Sequence, residues 1–190
     1  LQQNIYGPLG MQTTGYRPLD RFPTERIAPT ECDNFYRKQQ LIGYVHDETA
    51  CFFGGVQGNA GLFSNANDLA KLCQMWLNKG TYGNERILSP KTVELFLTEK
   101  SSTSRRGLGF DKPDMENPEK SPTAIEASAS TIGHLGFTGT CFWIDPEQEL
   151  IYIFLCNRVY PSRTHDALSQ LNIRPELFST IYRSIKNHSK

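Results

Sequence analysis

With 190 residues, 20 Lys and Arg against 20 Asp and Glu, and 38% hydrophobic residues, the chain is mid-sized and electrically balanced. That balance excludes a general nucleic-acid binder, because neutralising phosphate needs a surplus of cations. The longest apolar run, Leu150–Cys156, falls far short of the roughly 18 residues of a bilayer span, so no membrane span is expected.

Leu1–Gly10 has neither a starting Met nor the basic and apolar regions of a signal peptide, so the chain is expected to begin inside a longer product. This segment reads as the last turn of a helix, with Gly7 as a left-handed stop and Pro8 blocking continuation. Gln12 to Phe53, punctuated by Pro18, Pro23 and Pro29, reads as extended segments and loops. The glycine cluster Gly54–Gly61 requires unusual dihedrals or a close approach of other groups. Ala66–Lys79 is the clearest helix. Ser64 or Asn65 caps it, Asp68 favours its N-terminal end, and Leu69, Leu72, Cys73, Trp76 and Leu77 form one buried stripe. A second helix starts at Ser89-Pro90 and buries Val93, Phe96 and Leu97.

Arg106–Phe110 is a short strand candidate, and Asp111–Ala124 is a polar surface loop. Three strands follow: Thr131–Phe137, Thr140–Ile144 and Glu149–Cys156. The last is apolar on both faces, as a strand covered on both sides should be. Leu177, Phe178, Ile181, Tyr182 and Ile185 then mark an amphipathic closing helix behind Pro175. The pattern is α+β: a helical and loop region over 1–130, antiparallel strands over 131–157 and a helical segment over 164–190. The five cysteines are odd in number and contain no C-x-x-C, so no metal site or cofactor is expected from them. Cys73, Cys141 and Cys156 lie in apolar patterns, where a free thiol acts as a small hydrophobe.

The sharpest chemical feature is Gly133-His134-Leu135-Gly136-Phe137-Thr138-Gly139, which sets an imidazole on a glycine-flanked strand. A free edge N–H there can hold an oxyanion. On spacing alone, a partly buried structural His fits at least as well.

Asn4–Met11, Arg26–Glu31 (RIAPTE), Gly54–Leu72 (GGVQGNAGLFSNANDLAKL), Arg86–Phe96 (RILSPKTVELF) and Gly133–Pro161 together resemble the serine β-lactamase-like family. That family includes class C β-lactamases, D,D-peptidases and esterases. Ser104–Pro113 and Leu171–Tyr182 are similar to versions in which the domain follows a family-3 glycoside hydrolase of the β-N-acetylhexosaminidase type. The family attacks a carbonyl with the Ser of S-x-x-K, uses the Tyr of Y-x-N as a proton relay, and walls its site with a K-T-G or H-T-G strand. The resemblance makes His134, Leu135 and Gly136 the third motif and Phe137 the oxyanion N–H, so His134, Gly136 and Phe137 are the catalytic candidates. Leu135 replaces the usual Thr or Ser and removes a hydroxyl that binds a substrate carboxylate.

No Ser in the chain has Lys three residues later, and the Y-x-[NS] strings at Tyr82, Tyr160 and Tyr182 fall where the family has no such motif. The resemblance therefore implies the C-terminal half of the β-lactamase/transpeptidase-like fold, with an incomplete sheet and no catalysis by the isolated chain. Asn59 and Ala60 match a loop rimming the family's pocket, and Asn157 and Arg158 leave the last strand beside it. Each of these has a plain loop or turn reading as its alternative. Arg105 and Arg106 could hold an anionic group or form a solvated strand end.

The expected partners are a small-molecule or cell-wall-type substrate, the N-terminal half of the same domain, and a second copy through the exposed edge of Glu149–Cys156. The expected location is the periplasm or cell surface. Two functions are weighed: part of a serine hydrolase acting on an ester, amide or β-lactam, or a non-catalytic module beside a glycoside hydrolase.

Overall fold

The computed structural model describes residues 1–98 and 101–188, with the His188 side chain excluded. A π-type turn, Gln2–Tyr6, opens the chain. Gly7 stays right-handed at φ −61°, and the left-handed reversal comes at Gly10, where the Met11 N–H donates to the Tyr6 carbonyl. The expected stop at Gly7 is thus displaced by three residues.

The stretch read as loops contains an antiparallel hairpin of β1 (Pro29–Asp33) and β2 (Gln39–Ile42), followed by the short α1 (Glu48–Phe52). Its strands are short, and the buried positions of β1 are the polar Thr30, Glu31 and Asp33, which hides the two-residue period from the sequence. Next come α2 (Ala66–Leu77), a two-residue hairpin of β3 (Thr81–Tyr82) and β4 (Glu85–Arg86), and α3 (Pro90–Thr98).

Asn65, not Ser64, caps α2, its Oδ1 accepting the Asp68 N–H at 2.8 Å. Asp68 is itself buried and accepts the backbone N–H groups of Thr13 and Thr14, so the first turn of α2 anchors the chain's opening segment. Ser89 caps α3 by accepting the Thr92 N–H at 3.1 Å.

The main sheet is antiparallel, in the order β5 (Ile132–Leu135), β6 (Cys141–Asp145), β7 (Leu150–Phe154). A short α4 (Ala167–Gln170) leads into α5 (Ile173–His188). Register pairs Ile132 with Ile144, His134 with Phe142, and Trp143 with Tyr152. Opposed residues share a face, so the sheet has two apolar sides. Ile132, Ile144, Ile151 and Ile153 pack with Cys73, Trp76 and Leu77 of α2. On the other side Trp143 and Tyr152 pack with Phe178 and Tyr182 of α5, and the Tyr152 and Phe178 rings stack at 4.5 Å.

β7 is apolar on both faces because a helix lies on each. It is nonetheless the outer strand among the described residues. Asp145, fully buried, accepts from Ser128, from the Tyr182 hydroxyl and from the Glu147 and Gln148 N–H groups, locking the β6–β7 turn to α5.

Two further expectations change. Arg106–Phe110 forms no strand; the only pairing there is a single bridge between Asp111 and Gly133. The stripe of α5 is narrower than its sequence suggests. Phe178 and Tyr182 are buried, whereas Leu177, Ile181 and Ile185 lie outside the width of a three-stranded sheet and stay exposed. Cys73 and Cys141 are buried free thiols, pushed by burial up to about 12.

Candidate active site

Side chains alternate along β5. Ile132 and His134 share the α2 face, and Leu135 packs with the α5 cluster. Leu135 therefore points away from His134 and into the core. Gly133 is required by its neighbours: a Cβ there would lie 2.5 Å from the Trp143 ring and 2.1 Å from the Phe142 carbonyl oxygen. The far edge of Gly133 is paired, its N–H donating to Asp111 at 3.1 Å and its carbonyl accepting from Asp111 at 2.8 Å. Arg105 lies against the Asp111 carboxylate at 2.8 Å, so this arginine clamps the bridge; Arg106 is exposed.

Beyond the bridge the edge opens. By the two-residue alternation the N–H of Leu135 points the same way as that of Gly133, while the Gly136 N–H turns inward to Thr140 at 2.7 Å and Phe137 follows in the turn closed by the Gly139 N–H on the Gly136 carbonyl at 3.0 Å. Among the described residues neither the Leu135 nor the Phe137 N–H meets a hydrogen-bond acceptor. His134 is half-buried, and its Nδ1 lies 2.8 Å from the Leu135 carbonyl oxygen. Nδ1 therefore donates to that carbonyl, and Nε2 meets no hydrogen-bond partner among the described residues.

Phe137 follows directly, with its ring 62% exposed. Arg158 holds it twice, donating from Nε to the Phe137 carbonyl at 2.9 Å and setting its guanidinium 4.6 Å from the ring centre. Arg158 also donates to the carbonyls of Arg163 and His165. The chain meets Arg158 again at Thr138, whose carbonyl accepts the Arg158 N–H at 2.9 Å, and at Gly139, where φ is +115° and a Cβ would lie 2.7 Å from Cys156 Sγ.

The structure thus groups His134, Gly136, Phe137 and Arg158. Asn157 turns away and donates from Nδ2 to the Thr30 and Pro29 carbonyls, tying the end of β7 to β1. Asn59 and Ala60 lie in the loop after α1, which Tyr16 holds through the Gln57 carbonyl; Asn59 is exposed and its backbone is not left-handed.

Beside Phe137 lies a cluster that sequence reading passes over. The His46 ring stacks on the Phe137 ring at 5.5 Å and 26°. His46 Nε2 lies 2.8 Å from Glu31 Oε2, and Glu31 also accepts from Arg163 Nη2 at 2.8 Å and from the Arg163 backbone N–H at 2.8 Å. Arg163 reaches Glu48 at 2.7 Å as well. Burial alone would raise the Glu31 carboxyl, but Arg163 and His46 outweigh it and hold it at about 2. The Arg163 guanidinium is held correspondingly higher by its bonds to Glu31 and Glu48. Glu31 within RIAPTE was the only signal available, and its partners lie 15 and 132 positions away in the chain. Among the described residues no group of three His, Cys, Asp or Glu side chains is placed to hold a metal ion, and no helix is long and apolar enough to cross a membrane.

The sequence profile of the β-lactamase family matches residues 1–173, and the chain belongs to that family. A protein of Escherichia coli K12 named "Putative D-alanyl-D-alanine carboxypeptidase" is 35% identical over 193 aligned positions, covering 95% of this chain and 43% of the relative. A relative of the same name from Salmonella paratyphi B is 36% identical over 94% of this chain and 43% of its own length. The chain thus spans under half the length of these curated relatives.

Among solved structures, the LovD9 mutant of simvastatin synthase from Aspergillus terreus superposes with a TM-score of 0.59 at 16% identity, over 98% of this chain and 49% of that one. A β-lactamase from Mycobacterium bovis gives 0.50 at 18% identity, over 89% and 54%. At such identities the structures speak to fold alone.

These matches correct the half-domain expectation. They run through nearly the whole chain, which is assigned as a β-lactamase-like α+β domain with an open sheet rather than as a C-terminal part of that fold. The supposed need for an N-terminal half as partner falls with that reading. So does the homodimer through Glu149–Cys156, which rested on it; the module beside a glycoside hydrolase finds no support among these matches.

Proposed function

We propose that the chain serves acyl-group hydrolysis of the β-lactamase and esterase type, with the open edge of β5 as the surface on which the acyl group lies. The observation that carries this reading is the outward N–H of Leu135 with the unbonded N–H of Phe137 in the turn directly after it, just past the Asp111 bridge and beside His134. In this reading the Phe137 N–H stabilises the oxyanion, and the free Nε2 of His134 takes or returns a proton at the reacting centre. Gly136 keeps the turn tight, since a Cβ there would meet Thr140 Oγ1 at 2.4 Å.

A neutral ester or amide fits this edge better than a carboxylate-bearing peptide. Leu135 brings no hydroxyl and is packed in the core, and Arg158 is committed to three backbone carbonyls. The name of the bacterial relatives favours a D-alanyl peptide as the second reading. A periplasmic or cell-surface location suits either substrate. The sequence has no Ser with Lys three residues on, so this chain by itself forms no S-x-x-K acyl-enzyme.

The test is residue-resolved. On titration with methyl phenylphosphonate, an anionic mimic of the tetrahedral intermediate, the amide signals of Phe137 and Leu135 should move first. Shifts confined to other surfaces, or none at millimolar probe, would refute the reading. Incubation with a fluorescent penicillin should leave no covalent label on the chain.

A further inference from the structure

We infer that His46 is a positioning residue for the Phe137 N–H, acting through the stack of imidazole on phenyl ring. The inference rests on the reading of β5 as an acyl site and adds to it what holds the donor still.

Phe137 lies past the last ladder residue of β5, in a turn, with its ring largely exposed. An exposed side chain in such a turn ordinarily samples several rotamers, and the backbone beside it moves with it. Here the ring is contacted by Arg158 and by His46, and the same peptide segment is held by Arg158 at the Phe137 carbonyl. A donor fixed before substrate arrives costs no reorganisation during reaction.

The His46 platform is rigid for reasons visible around it. Its Nε2 is bound to Glu31, which is 4% exposed and is gripped by the guanidinium and backbone N–H of Arg163. Its carbonyl accepts from Arg37 Nη2 at 2.6 Å, and Arg37 is paired in turn with the buried Asp33 at 2.7 Å. Two ion pairs therefore fix the imidazole, one at the ring and one at the backbone. A network built only to join β1 to the 157–163 segment would not need an aromatic ring at its end. Glutamine could satisfy Glu31 equally well.

That distinction supplies the experiment. His46→Gln keeps a donor for Glu31 and loses the ring; His46→Phe keeps a ring and loses the donor. If the stack positions Phe137, affinity for methyl phenylphosphonate follows the ring, falling about five- to tenfold in His46→Gln and staying within about twofold of wild type in His46→Phe. Without ligand, the 15N heteronuclear NOE of the Phe137 amide should drop in His46→Gln alone. A His46→Gln protein with wild-type affinity and NOE would overturn the inference, as would a His46→Phe protein as impaired as His46→Gln. If His46→Phe does not fold, the His46→Gln pair of readouts decides. Absence of any wild-type response to the phosphonate would instead sink the acyl-site reading, and the ligand-free NOE would still judge the positioning.

Discussion

Replacing Glu31 with Gln removes a charge from the most densely bonded carboxylate beside the site. Glu31 is 4% exposed and accepts from Arg163 Nη2, Arg163 Nε and the Arg163 backbone N–H, with His46 Nε2 at 2.8 Å. Its carboxyl is held at about 2 against an ordinary 4.5, and that gap corresponds to about 3 kcal/mol of folding stability. The sign follows from the direction. A carboxylate whose folded-state value is depressed contributes in full above its unfolded value and loses that contribution as pH falls from 4.5 towards 2. Glutamine cannot titrate, so the wild-type advantage should be about 3 kcal/mol at pH 7 and pH 5, about 1 kcal/mol near pH 3, and close to zero at pH 2. Depressed carboxylates that share no partner with Glu31, such as Asp68 and Asp145, titrate in both proteins and cancel in the difference. Urea denaturation of both proteins at pH 7, 5 and 3 measures it. A difference below about 1 kcal/mol at pH 7, or one that is the same at pH 7 and pH 3, would refute the assigned role of the Arg163 pairing.

Other outcomes follow from the same structure. Phe178→Ala empties the centre of the α5 face, where the ring is fully buried between Tyr152 and Tyr182, and should cost about 3–5 kcal/mol in chemical denaturation. Gly133→Ala drives a methyl into the Trp143 ring and should cost at least about 2 kcal/mol; a neutral result would mean that β5 and β6 are spaced differently from the register described. At pH 8, iodoacetamide should leave Cys73 and Cys141 unmodified in the folded protein, since burial both shields them and holds them near 12; rapid native-state labelling of either would contradict the packing.

Periodicity made the central elements readable. The extent of α2, the Ser89-Pro90 start of α3 and the three strands of the main sheet all stand where local pattern sets them, within a residue or two. Of the expected α2 stripe, however, only Cys73 is fully buried; Leu69, Leu72, Trp76 and Leu77 are half-buried, and Met75 takes a buried place outside it. The β1–β2 hairpin was not readable, because its strands are short, the buried positions of β1 are polar (Thr30, Glu31 and Asp33) and β2 offers only Leu41. Glu31 and Asp33 are buried for a reason outside their own strand, namely the arginines at positions 163 and 37. The candidate site divides in the same way. His134, Gly136 and Phe137 announce themselves as one glycine-flanked string, whereas His46 reaches Phe137 only through the fold. Leu135 was legible as a departure from the family motif, but its burial against the α5 cluster follows from strand alternation and register, which the motif does not state.

The central claim is that the Phe137 N–H is the oxyanion donor of an acyl site on β5. Affinity for methyl phenylphosphonate in Phe137→Pro and Phe137→Ala tests it most directly, since proline removes the N–H and alanine keeps it. The account predicts weakened but measurable binding to Phe137→Ala and none to a folded Phe137→Pro. A Phe137→Pro protein that binds the phosphonate as tightly as wild type would contradict it.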